Sequence, residues 1–166
     1  MIIDNFLTLS GAWASGVWTP QLVTAVANNV STNVIDIANT KVVQPADFGM
    51  GQELDVCISV VNTLTSGGAA TIAFQLVQAD DTAISTNVNV LSQTDVIGFA
   101  SITAGLIITL TWNPTLLGVA RRYIAVRYVI ATAVLTNATG QFIAQVTPVA
   151  QFKGNTTIFS SGFAIA

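Results

Sequence analysis

The chain has 166 residues, five of them Lys or Arg and eight Asp or Glu, with no histidine, one cysteine and a formal net charge of −3. The missing imidazole removes the commonest general base and every Ser-His or Cys-His nucleophile, and a single thiol cannot build a tetrahedral zinc or iron–sulfur site. With 52% hydrophobic and 8% charged residues, against about 25% charged in a typical soluble domain, the composition also argues against nucleic-acid binding, which needs many phosphates neutralised.

The length suits one domain spanning residues 1–166. No Lys or Arg precedes Lys41, so "MIIDNFLTL" lacks the basic start of an export signal and reads as a strand. In "SGAWASGVWTPQ", Trp13 and Trp18 lie among glycine and serine. They are either core plugs or anchors for a groove in a partner, and the residues alone leave both open. The stretch "TPQLVTAVANNVS" is the one helical candidate. Pro20 suits a first turn, but β-branched residues and asparagines weaken it, so no helix is expected. "NVIDIA" is a short strand.

"FGMGQE" supplies Gly49 and Gly51, a fragment of a phosphate loop. It lacks a third glycine and enters a strand instead of a helix, so both glycines read as turn residues. The strand that follows, "ELDVCISVVNTL", places Leu54, Val56, Ile58 and Val60 on one face. Cys57 is expected to be a small buried side chain, and Asp55 to be a rare outward charge. "TSGG", Thr65–Gly68, is expected to supply the positive-φ residues of a tight hairpin returning into "AATIAFQLVQ", with Ile72, Phe74 and Leu76 aligned. Asp80 and Asp81 adjoin in "VQADDT", and paired carboxylates could in principle hydrolyse a glycoside. Neighbouring residues leaving a strand diverge, however, so the pair reads as a turn.

"STNVNVLSQ" is a shorter strand with Val88 and Val90 inward. "VIGFASITAGLIITLTW" is the best membrane candidate, yet its glycines, hydroxyls and β-branched run favour a strand, and no membrane span is expected. Its later half sets Leu106, Ile108, Leu110 and Trp112 against Ile107, Thr109 and Thr111. After a turn at "WNPTLLG" comes "RRYIAVRYVIATAV", with Ile124, Val126, Tyr128 and Ile130 on one side and Tyr123, Ala125 and Arg127 on the other. "TNATG" turns into "QFIAQVTPV", with Phe142, Ala144 and Val146 aligned. The tail "TTIFSSGFAIA" is extended, and its Phe159 and Phe163 carry the same core-or-anchor ambiguity as the tryptophans.

Period-two segments separated by turns predict an all-β domain, an antiparallel β-sandwich closed as a jelly roll of about eight strands. The outward positions are mostly Thr, Ser, Ala, Asn and Gln. Such groups satisfy water yet cost little to desolvate, which suits contact with other proteins over a wide area. Arg121, Arg122, Tyr123 and Arg127 form the one basic cluster, a composition enriched at interfaces. No cofactor is expected, and an enzyme is the least favoured class.

The segments "STNVIDIANT", "FGMGQELDVCISV", "GGAATIAFQLVQADD", "RRYIAVRYVIAT" and "FSSGFAIA" occur in this order between Ser31 and Ala166. In that order and spacing the chain resembles the Bbp16-type cement (decoration) proteins of tailed-phage heads. The resemblance implies a self-associating jelly roll, as a homodimer or homotrimer. It would sit on the outer surface of an assembled head, made in the host cytoplasm, and bind the major capsid protein across subunit joints. An alternative from another class is a carbohydrate- or host-surface-binding module of the virion, for which Trp13 and Trp18 would form the aromatic patch.

Overall fold

A computed structural model describes residues 7–37, 54–112 and 121–148. The glycines of "FGMGQE", the turn after Trp112 and the tail with Phe159 and Phe163 lie outside these residues. Along the chain run β1 (Thr8–Ser10), β2 (Ala12–Ala14), β3 (Val17–Thr19), β4 (Gln21–Leu22), β5 (Asn28–Val30), β6 (Ile35–Asp36) and β7 (Leu54–Val60). They are followed by β8 (Thr71–Ala79), β9 (Asn89–Gln93), β10 (Ile97–Gly98), a 3-10 turn at Phe99–Ser101, β11 (Ile107–Trp112), β12 (Tyr123–Ala131) and β13 (Gln141–Pro148). The helical candidate is thus two short strands, β4 and β5.

One sheet has the order β1-β13-β7-β11, with β4 also on β13; the other has β10-β8-β12-β5, with β6 on β12 and β9 on β8. Every ladder in both is antiparallel. Where β1 and β4, β5 and β6, or β9 and β10 share a neighbour, they act as one interrupted strand. Each sheet then has four positions, and the chain crosses between sheets at every step except from β8 to β9. That is the connectivity of a jelly roll. The described strands outnumber the sequence expectation because the N-terminal part breaks its pairing into pieces of two or three residues and adds a separate hairpin, β2–β3.

The alternation read from sequence builds the core. Val56, Ile58, Val60, Leu110, Phe142 and Ala144 of the first sheet pack in one cluster with Ile72, Phe74, Leu76, Ile124, Val126, Tyr128 and Ile130 of the second. At its centre Tyr128 stacks on Phe142 with ring centroids 4.8 Å apart, and Phe74 meets both rings edge-on. Such pairs contribute about 0.5–1.5 kcal/mol each beyond their buried area. They fix how the two faces interlock.

Several expectations are overturned. "TSGG" is no hairpin: β7 already has β13 and β11 on its two sides, so β8 joins the other sheet. Neither Gly67 nor Gly68 has positive φ. The segment is instead stitched to the 134–139 turn by a Ser66–Leu135 bridge and by Thr65 bonds to Thr136 and Thr139. Asp55 is buried, lying across from Thr147 on β13 and Thr111 on β11. Val90 is exposed, whereas Val88 packs inward.

The outer face of the second sheet is also less open than alternation implies. The 80–88 loop folds back over it, so Ile84 joins Val77, Ala79 and Ala125 in a second small core edged by Val30, Val34, Val88 and Tyr123.

Candidate functional site

The basic cluster sits where β12 begins, and the structure gives each arginine a partner. Arg121 places one terminal nitrogen 2.9 and 3.2 Å from the two carboxylate oxygens of Asp80. Arg122 grips Asp36 in a fork, Nε to Oδ1 at 2.9 Å and Nη2 to Oδ2 at 2.8 Å, and its guanidinium lies 5.0 Å over the Tyr123 ring. The hydrogen bonds to Asp36 hold the Arg122 proton more firmly than usual. Arg127 donates from Nε to Gln75 at 2.8 Å, and Gln75 donates to Gln93 at 3.0 Å, a polar row across β12, β8 and β9. Among the described residues it is the arginine without a carboxylate partner.

Asp80 and Asp81 diverge, as a turn requires. Asp80 faces Arg121 and also accepts from Asn87 at 2.7 Å. Asp81 accepts from the backbone amides of Ser85 and Thr86 and from the Ser85 hydroxyl. Those donors, the Thr86 amide foremost, hold its carboxyl below the ordinary 3.8. The loop so closed carries Ile84 with φ of 52° while burying its side chain. A β-branched residue in the left-handed region is strained, and burial offsets that cost.

The structure sets both tryptophans outside the main core. Trp13 and Trp18 face each other directly across β2–β3, ring centroids 5.3 Å apart and planes at 60°. The two-residue connection has positive φ at Ser15 (53°) and Gly16 (80°), the pattern of a type I′ hairpin turn. The hairpin belongs to neither large sheet. Trp13 is 45% and Val17 63% exposed, and Leu22 and Val26 nearby are exposed as well. Between Asp4 and Asp36 the sequence has no ionised side chain. An uncharged aromatic projection therefore stands outside the main core.

Cys57 is buried on the outer face of the first sheet, 3.5 Å from the Thr147 hydroxyl. Burial pushes its thiol above the usual range, so it is a packing residue and a poor nucleophile. Among the described residues no three of His, Cys, Asp and Glu converge as metal ligands, and no helix is long and apolar enough to cross a membrane.

Sequence reasoning found the arginines but missed Asp36 and Asp80 as their partners, and Asp81 as the loop's cap. For Asp81 a local signal exists in "DTAIST", an acid four and five residues before a Ser-Thr pair.

The family model of Bbp16 matches residues 17–158. The chain belongs to the Bbp16 family. This makes it a phage-related structural protein. The matched span begins in the hairpin at Val17, after β1 and Trp13, covers the rest of both sheets and the three arginines, and ends before Phe159 and Phe163. No curated protein matches the chain.

Proposed function

We propose that this Bbp16-family chain is a capsid cement protein. It binds the outside of an assembled phage head across joints between major capsid protein subunits and self-associates there. The observation that carries this reading is the β2–β3 hairpin, with Trp13 exposed, Trp18 beside it and no charged residue in the sequence between Asp4 and Asp36. Exposed aromatic anchors on an uncharged surface are what a protein groove takes up, because their desolvation costs little and their burial returns much. The two indole rings meet edge to face, so they do not form the coplanar shelf on which a sugar ring stacks. A protein partner is favoured over a glycan.

The mechanism is linkage. A molecule that binds only the assembled lattice stabilises it in proportion to RT ln(1 + [L]/Kd). By touching two subunits at once it also makes their separation break several contacts together, which slows rupture under internal pressure. No step of this requires catalysis. The test is to add purified protein to heads stripped of it. Expected results are saturable binding on sedimentation and a higher rupture temperature, both reduced by Trp13→Ala. Heads that neither bind the protein nor gain stability overturn the reading.

A further inference from the structure

The tryptophan hairpin is an excursion from a single strand position. The chain pairs with β13 through Ser10, opposite Ala144, and again through Gln21, opposite Phe142, so residues 11–20 leave and rejoin the first sheet at almost the same place. Gly11 makes the departure possible. Its φ of 89° turns the chain out of β1, and a Cβ there would stand 2.9 Å from the Thr19 carbonyl oxygen on the returning leg. A hairpin on two legs this close, paired with neither large sheet, keeps one direction only if its base is tied.

Two side-chain amides tie it. Asn33 Nδ2 donates to the Thr8 carbonyl at 3.1 Å and to the Gly11 carbonyl at 3.3 Å, so one nitrogen spans the point of departure. Where the chain rejoins, Gln21 donates from Nε2 to the Val30 carbonyl at 2.8 Å and accepts the Thr32 amide on Oε1 at 2.8 Å. Both ends of the hairpin are thus held by the 30–33 segment. That segment is itself fixed. The Asn33 amide donates to the Leu9 carbonyl and the Ser31 amide to the Val126 carbonyl, each at 2.8 Å, while the Ser31 hydroxyl accepts the Val126 amide at 3.1 Å and donates to the Asn33 carbonyl at 2.8 Å. The brace runs from the hairpin base into β12.

We infer that Asn33 and Gln21 are positioning residues that hold the Trp13–Trp18 hairpin in one direction, so that it meets a partner's groove already aimed. The binding half of this rests on the hairpin being the capsid anchor proposed above. An element fixed before contact gives up less freedom on binding than one that must be ordered at that moment. The brace itself is a property of the free protein.

The test uses the full chain with Asn33→Ala, Asn33→Asp and Gln21→Ala. Asn33→Asp keeps the side-chain shape but has no N–H to donate. NMR relaxation of the indole N–H groups is expected to show greater motion of Trp13 and Trp18 in all three variants, with Trp112, buried in the main core, unchanged as an internal control. Near-ultraviolet circular dichroism should show the contact between the two rings retained, because the hairpin moves as a unit. The dissociation constant for heads should rise about tenfold, as expected when an interface must first be ordered. Indoles as rigid in Asn33→Ala and Asn33→Asp as in the parent would overturn the brace, and so would a loosening that reaches Trp112. A freed hairpin that binds heads as tightly as the parent would overturn its role in aiming. If the parent itself does not bind heads, the cement reading falls, and the indole relaxation alone decides whether the brace holds.

Discussion

The Tyr128 hydroxyl donates to the Ser10 hydroxyl oxygen at 2.7 Å with both residues fully buried, tying β12 at the centre of one sheet to β1 at the edge of the other. Tyr128→Phe keeps the ring stack on Phe142 but removes that tie. The expected loss is about 1–2 kcal/mol, because the Ser10 hydroxyl forfeits a partner inside the protein. Urea unfolding measures it, and Ser10→Ala should be strongly non-additive with it. Burial also raises Tyr128 ionisation above its ordinary 10.0. A raised folded-state value means the contribution is complete below about pH 10 and declines as pH rises beyond it, so the parent should lose more stability there than Tyr128→Phe.

Asp81 holds the 81–86 turn with a carboxyl depressed by hydrogen bonds from Thr86 and Ser85. A depressed value means that its contribution is present above the ordinary 3.8 and fades as pH falls through the folded-state value. On acidification the Ser85 and Thr86 amides should lose hydrogen-exchange protection before the core strands do. Asp81→Ala should produce the same local opening at neutral pH.

The two ion pairs are partly exposed, with side-chain exposures of 29% and 36% for Arg121–Asp80 and 44% and 23% for Arg122–Asp36. Pairs of this kind contribute about 0–1 kcal/mol and weaken with salt. Arg122→Met should therefore leave a folded protein whose urea-unfolding midpoint scarcely moves. Arg127, whose described partner is neutral, should show its effect in occupancy on heads instead.

Gly140 stands where its carbonyl accepts from the Val23 amide at 2.7 Å. A methyl group there would run into the Val23 carbonyl, a backbone atom with little room to yield. Gly140→Ala should cost about 2–3 kcal/mol, read from the unfolding midpoint, as overpacking against rigid neighbours does.

Trp13→Ala separates an anchor from a core plug. It stands on a hairpin outside both sheets and its ring contact is with Trp18, so the loss of stability should be that of one aromatic pair, about 0.5–1.5 kcal/mol, and well below the roughly 3–5 kcal/mol of a core tryptophan. Binding to heads should fall, measured by sedimentation.

Much of the core was legible because burial in a sandwich follows period two. Val56, Ile58 and Val60, or Ile124, Val126 and Tyr128, fall inward as their spacing requires. What could not be read was which strand lies beside which. A glycine pair after β7 resembles a hairpin locally, yet pairing is decided by strands from far along the chain. Ala125 obeys alternation and is still buried, because a loop anchored through Asp81 covers it. Arg121 and Arg122 find their acids 41 and 86 residues away, and no local pattern encodes such partners. The tryptophans were undecidable for a different reason: a Ser-Gly turn is equally good chemistry whether its hairpin packs inward or stands free.

The internal matching of Arg121 with Asp80 and Arg122 with Asp36 leaves a molecule of few ionised groups with little field to project. Encounters with any macromolecule are then unsteered, at the roughly 10⁵–10⁶ M⁻¹s⁻¹ of neutral association. Ionic strength should scarcely change how fast the protein arrives. Whatever tenacity it has must reside in how slowly it leaves.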